Sequence, residues 1–393
     1  MKFGVILFLL LLCSSCVRTK PSSDLENDTF LSEPVVEDSY TYYPIKDHTI
    51  KVDLTKPQTV SLFDYFSHIE LIPLETNDNV LIGSLQKLIY HQNRYYTLDR
   101  IQVAVQVFDE TGKFMHKIGR SGQGPGEYLP LLYDIYINPY TGNIDLLCPM
   151  GYIYSYDLSG NHVKTSERIT NDELGNINQV IAFNEKIYVF TVYASPYYIV
   201  YYDIEEKKIL HQEYENFTRN VAAGFYYYNG HWYFKPVFDN SIYEIMQDSL
   251  KKAYTLDFGK FNYKITEEIF GKGNNNISNI QEIVNRYPYK IRTQGQNNQY
   301  VIANIDLKDE KSVNLIYDKS IHESKLIEHF TESVEFQPYI VSNDFVLSWC
   351  SHGALEKYVA EEMLDESNRQ KFTQLIHTVG EELNPIIIKY YFK

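Results

Sequence analysis

Two places in this 393-residue chain carry residue types suited to chemistry. The first is Cys16. It follows Lys2, the apolar run Gly4-Val5-Ile6-Leu7-Phe8-Leu9-Leu10-Leu11-Leu12, and Cys13-Ser14-Ser15. One charge, a short apolar run and a small-residue step describe a secretory signal. The run is well short of the roughly 20 residues a spanning helix takes. Ser14-Ser15-Cys16 after leucines reads as a bacterial lipobox, with Cys16 the acylated residue. The plainer reading is an ordinary signal peptide with an incidental cysteine. The second place is Gly119-Arg120-Ser121-Gly122-Gln123-Gly124-Pro125-Gly126-Glu127-Tyr128. A phosphate cradle would need a terminal Lys-Ser/Thr and a following helix, and the sequence offers neither. Two readings stay open. The glycines permit a sharp link between neighbouring elements, or Arg120, Gln123, Glu127 and Tyr128 stand at a rim where loops converge on a ligand.

Other chemistry is absent as motif. The 11 histidines form no HxH or HExxH pair, so no metal site and no cofactor are expected. No serine nucleophile elbow occurs. Of four cysteines, Cys148 and Cys350 stand far apart in sequence and are expected as buried free thiols. Tyr197-Tyr198, Tyr201-Tyr202 and Tyr226-Tyr227-Tyr228 alternate between two faces. They pack within the fold or present rings that stack on sugars or peptides.

Bulk composition narrows the classes. Apolar content of 44% with 22% charged residues is globular. The 36 Tyr and 21 Phe favour pleated sheet. A formal net charge of −15 argues against a nucleic-acid partner, which needs a basic surface. Residues 17–45 are rich in Ser, Pro, Asp, Glu and Asn and read as a flexible tether. The expected organisation is a signal peptide over 1–15, a lipidated cysteine and tether over 16–45, and one domain over 46–393. Val17-Arg18-Thr19-Lys20 carries no acidic run, which favours the periplasmic side of an outer membrane over the cell surface.

The elements that hold the glycine loop are repeated. Val105-Gln106-Val107-Phe108-Asp109 ends in Glu110-Thr111-Gly112-Lys113, and Tyr152-Ile153-Tyr154-Ser155-Tyr156-Asp157 ends in Leu158-Ser159-Gly160-Asn161. Each is a strand, a tight turn and the start of a return strand. The counterparts Asp109, Asp157, Asp203 and Glu244 lie 48, 46 and 41 residues apart. A strand-based repeat near 45 residues predicts propeller blades. Strands are expected at 87–90, 94–99 and 105–109, then 134–137, 144–147 and 152–157, then 179–183, 186–192 and 197–203. A fourth set covers 224–228, 231–236, 240–245 and 252–256, with Asn229-Gly230 as its hairpin turn. A fifth resumes at 299–305 and 313–318, and a sixth at 339–341 and 345–350. A short helical insertion is expected near 265–292 and a helix near 353–381. The reading is all-β: a six-bladed propeller of four-stranded antiparallel blades. Strands at 48–54, 69–74 and 386–392 are the candidates for closing the ring.

Ile72-Pro73-Leu74-Glu75, Phe108-Asp109…Gly112-Lys113, Gly124-Pro125-Gly126-Glu127-Tyr128 and Asn384-Pro385-Ile386, with the lipobox-like Cys16, resemble NHL-like six-bladed β-propeller lipoproteins of Gram-negative anaerobes. The resemblance covers about residues 47–393 and implies a fold and an anchor more than an activity. The functional expectation is a monomeric, membrane-anchored binding or scaffold domain for a glycan, a peptide or an envelope protein. Its rival is a hydrolase or lyase with a site in the central channel, since propellers host such sites with residues spread over blades.

Overall fold

The computed structural model describes residues 41–77, 80–169, 176–193, 195–215, 224–236, 239–262, 289–307, 311–378 and 383–393. Cys16, the signal and most of the tether lie outside these, as do residues 265–288 of the expected insertion.

Three short strands come first: β1 (Thr49–Lys51), β2 (Gln58–Val60) and β3 (Phe66–Pro73). Four antiparallel strands form each blade. Blade 1 is β4 (Leu85–His91), β5 (Arg94–Asp99), β6 (Ala104–Asp109) and β7 (Phe114–Lys117). Blade 2 is β8 (Asp134–Ile137), β9 (Ile144–Cys148), β10 (Tyr152–Tyr156) and β11 (His162–Thr165). Blade 3 is β12 (Asn176–Ala182), β13 (Ile187–Tyr193), β14 (Tyr197–Asp203) and β15 (Lys208–Glu215). Blade 4 is β16 (Gly224–Tyr228), β17 (His231–Lys235), β18 (Ser241–Ile245) and β19 (Leu250–Asp257). Blade 5 is β20 (Tyr289–Gln296), β21 (Tyr300–Leu307), β22 (Ser312–Asp318) and β23 (Glu323–Phe330). Blade 6 takes β24 (Ile340–Val341) and β25 (Phe345–Cys350), then the last strand β26 (Ile386–Phe392), and finally β3 on its outside. The fold is the six-bladed β-propeller that the repeat predicts.

Strand sequence follows position in the blade. Second and third strands pack on both faces against neighbouring blades. They are mostly apolar, with single polar residues such as Gln106, Asp145 and Ser155 buried among them, and β5 buries every residue after Arg94. The outermost strand β11, His162–Thr165, is exposed throughout. Asn229 (φ 50°) and Gly230 (φ 80°) make the left-handed turn that their sequence announces. The repeated aspartate is a turn residue. Asp109 Oδ1 accepts the Thr111 and Lys113 N–H groups at 2.9 and 3.0 Å. Asp157 Oδ1 accepts those of Ser159 and Asn161 at 2.9 Å each. Asp203 and Asp318 do the same in blades 3 and 5. Glu244 does not belong to this series. It sits inside β18, and its carboxylate meets His231 at 2.8 Å. The blade-4 turn begins after Ile245, so its side chain never reaches the turn N–H groups.

Of the strands expected to close the ring, 69–74 and 386–392 do so. β26 lies between β25 and β3, with Ile386↔Pro73 and Ile388↔Leu71 in register. Strand 48–54 does not. Its β1 pairs parallel with β19 at the outer edge of blade 4, and β2 pairs parallel with β23 of blade 5. The N-terminal segment thus runs along two blade rims and covers their free edges before entering blade 6. Blade 5 also contains two strands that the sequence reading missed. β20 begins inside the span expected as the insertion, and β23 lies where the sequence signals no strand. The expected helix near 353–381 is interrupted. Leu355–Tyr358 forms α1 and Glu366–His377 forms α2. Asp365 caps α2 by accepting the Asn368 N–H at 2.7 Å. Leu355, Val359, Met363, Leu364 and Phe372 are buried against blades 5 and 6, so packing fixes the extended link between the helices.

Asn384 locks the closure. Its side chain is fully buried. Its Oδ1 accepts the Ile82 N–H at 2.6 Å, and its Nδ2 donates to Glu75 O at 2.6 Å and to Val80 O at 2.9 Å. Glu75 continues the seam: its N–H donates to Gly112 O at 2.8 Å and its Oε2 accepts the Phe114 N–H at 2.9 Å. Gly112 (φ +86°) has no room for a Cβ, because the Pro73 carbonyl stands there. Asn384→Ala strands one buried donor and two buried acceptors. We expect a loss of about 2–4 kcal/mol in urea unfolding, and a change below about 0.5 kcal/mol would refute the lock.

Candidate functional site

The glycine loop links β7 to β8. Its interior is filled by its own glutamate. Glu127 Oε2 accepts the Gly124 N–H at 2.7 Å, and Oε1 meets Arg120 Nε at 2.5 Å. The Gly124 hydrogen bond, helped by Arg120, holds this carboxyl below the usual carboxylate range. A Cβ at Gly122 would strike the same carboxylate. Tyr128 is buried; its hydroxyl donates to Val103 O at 3.1 Å and its ring meets Tyr154 and Tyr156 edge-on. Arg120 and Gln123 remain exposed. The structure therefore ties Glu127 and Tyr128 into the loop and leaves Arg120 and Gln123 at its surface.

The inner strands carry a second charged contact. Asp134 on β8 takes Lys87 of β4 at 2.5 Å and the Val180 N–H of β12 at 3.2 Å. Burial raises its pKa while Lys87 opposes the rise. Both oxygens are committed, and they clamp three successive blades. Among the described residues no group of three or more His, Cys, Asp or Glu could hold a metal. Cys148 and Cys350 are buried and free, and burial pushes the Cys350 thiol up to about 12.

A pocket of about 500 Å³ opens where blade 6 meets blade 1. Both chain ends build it: His68 comes from β3, and Lys389 and Tyr391 come from β26. Blade 1 supplies Tyr90, Asn93 and Glu110; blade 6 adds Asp344 and Phe345. Lys389 is only 6% exposed. Its Nζ lies 4.7, 4.4 and 5.6 Å from the ring centres of Tyr90, Phe345 and Tyr391. Among the described residues its ammonium makes one hydrogen bond, a long 3.5 Å contact to Tyr90 Oη. Burial lowers its pKa, and Glu70, Glu110 and Asp344 pull it back. None of these carboxylates comes within ion-pair distance, so the ammonium is held by ring faces. The sequence reading passed over Lys389. The available signal was a lone charge inside Ile386-Ile387-Ile388-Lys389-Tyr390-Tyr391-Phe392.

A second pocket, about 440 Å³, lies between blades 2 and 3. It is rimmed by exposed charges already paired, such as Lys207 with Glu167 at 2.6 Å.

A family model matches residues 46–391. The chain belongs to the family described as Domain of unknown function (DUF4934). No curated protein matches it. Among solved structures, the DUF4934 domain is similar to a Bacteroides fragilis NCTC 9343 protein classed as exported. The TM-score is 0.67 at 16% identity, over 88% of this chain and 99% of that one. It is also similar to a DUF4221-family member from Bacteroides vulgatus. There the TM-score is 0.50 at 10% identity, over 83% and 98% of the two chains. At these identities the likeness concerns the fold.

The turns beside the DUF4934 seam pocket rest on another buried lysine. Lys319 is 1% exposed; it donates to Asn297 O at 2.6 Å and Gln296 Oε1 at 3.0 Å. It lies 4.7 Å from the Tyr228 ring centre. Asn297 and Asn298 in turn bond Ser342 O and Asn343 Oδ1, beside the pocket wall. Desolvation pushes the Lys319 pKa down to about 7 from 10.5. Between those values the unfolded chain binds the extra proton, so stability rises with pH across that window, by at most about 1.4 kcal/mol per unit. Below pH 7 both states carry the charge and the slope vanishes. Lys319→Met removes this rise. Chemical unfolding of both proteins at pH 6, 8 and 9.5 measures it; parallel curves would refute the shift.

Proposed function

We propose that this protein is exported, anchored at the cell envelope through an acylated Cys16, and acts there as a non-enzymatic binding platform. The observation that carries the binding role is the open seam pocket with Lys389 on its floor, a buried cation with no carboxylate in contact among the described residues. A group desolvated without an ionic partner is costly unless something compensates it, and a ligand oxygen supplies what the aromatic rings supply only in part. Export is supported by the apolar leader and by the exported Bacteroides protein of the same fold. The lipobox-like Ser14-Ser15-Cys16 supports the anchor, and the absence of an acidic run in Val17-Arg18-Thr19-Lys20 favours the periplasmic face of the outer membrane. An NHL-like kinship of the blades belongs to this proposal as well. Arg120 and Gln123, exposed on the opposite type of loop, offer a second contact surface for an envelope protein.

Labelling cells with an alkyne fatty acid tests the anchor. The wild-type chain takes up label and sediments with outer membranes. Cys16→Ala loses the label and moves to the soluble envelope fraction. Retention of label in that variant would overturn the anchor.

A further inference from the structure

Charge and shape in the seam pocket narrow the ligand. Lys389 forms its floor, Glu110 and Asp344 stand exposed on its walls, and Lys393 lines it too. Glu70, beside the floor, accepts the Tyr391 hydroxyl at 2.8 Å. A small anion drawn to Lys389 must pass the carboxylates, and a cation drawn to the carboxylates ends against Lys389. A ligand that offers both donors and acceptors without net charge meets no such conflict.

The aromatic groups point the same way. His68 is exposed and stacks on Tyr391 at 4.4 Å and 4°, so each ring covers one face of the other and the exposed imidazole forms the outer layer of the stack. Tyr90 Oη is held by Asn93 Oδ1 at 3.0 Å, which leaves the Asn93 amide nitrogen for a ligand oxygen. Tyr95, its ring 5.1 Å from that of Tyr90, is fully buried, and its hydroxyl has no hydrogen-bond partner among the described residues. It is not part of the pocket lining, so Lys389 is the buried polar group that a ligand meets there. Planar polar side chains around an aromatic face suit a ring with hydroxyls on its edge and C–H groups on its face.

We propose that the seam pocket binds an uncharged saccharide. One sugar oxygen accepts from Lys389 Nζ, a hydroxyl donates to Glu110, and the C–H face lies on the exposed His68 ring. This rests on the binding-platform reading and gives it a ligand class.

The test uses the full-length chain in a detergent without sugar headgroups. Saturation-transfer NMR is run with neutral hexoses, N-acetylglucosamine and cellobiose. Glucuronate, glucosamine and a tripeptide serve as the comparison probes. At least one neutral sugar is expected to bind, at least five-fold more tightly than glucuronate and glucosamine. Lys389→Met is expected to weaken that sugar at least ten-fold. Glu110→Gln, an exposed change that leaves folding intact, is expected to weaken it about three-fold. Binding of no neutral sugar, or equal binding to Lys389→Met, overturns the proposal. Capture of the tripeptide or glucuronate, lost in Lys389→Met, overturns the saccharide and leaves the platform. If no probe of any class binds and no envelope protein is recovered with the chain, both readings fall.

Discussion

Everything in this molecule depends on one antiparallel ladder, formed by β26 lying between β25 and β3. A propeller has no hydrophobic core of its own apart from the faces of adjacent blades. An open ring would leave two blades each with one bare apolar face. The chain solves this by placing its last strand third in blade 6 and an early strand fourth, with seven residues of β26 paired to β3. More than three hundred residues separate the partners, so this ladder carries a large loop-closure cost. Asn384 and Glu75 then stitch the completed blade to blade 1 through backbone groups that would otherwise be orphaned.

The same closure creates the candidate site. Its wall comes from the strand contributed by the N-terminal segment, its floor from the C-terminal strand, and its far side from the turns of blade 1. The blade-1 turn meets this seam as the repeat requires: Gly112 packs on the Pro73 carbonyl just as Gly160 packs on the Lys117 carbonyl. What differs is blade 6 itself, whose third and fourth strands, β26 and β3, come from opposite ends of the chain and share no connecting turn. Ser67, Phe392 and Lys393, which flank that break, line the pocket.

Two buried lysines hold this side of the ring without a carboxylate. Lys319 satisfies its donors with an amide oxygen and a backbone carbonyl, Lys389 with ring faces. Each costs desolvation that an apolar residue would not, and each joins elements of neighbouring blades. Asp134 does the same work between blades 1, 2 and 3, but with its counter-charge Lys87 in contact. Polar groups at these joints fix which blade faces which, a matter on which interchangeable apolar faces are silent.

The sequence by itself determined the blade. Alternation, the Asn229-Gly230 turn and the spacing of Asp109, Asp157 and Asp203 are local signals, read within a few residues by hydrogen bonds the turn makes to itself. It also named 69–74 and 386–392 as closing strands, and these pair with each other. What it could not fix is whatever depends on distant partners. Residues 48–54 look like a closing strand, yet only the free edge of blade 4 decides that they lie there. Glu244 has the spacing of a turn residue but pairs with His231 instead. Lys389 reads as a stray charge in an apolar strand until Tyr90, Phe345 and Tyr391 surround it. Local hydrogen bonding writes itself into neighbouring letters; the desolvation of a single ammonium is set in part by Tyr90, 299 residues away, and only the closed ring brings the two together.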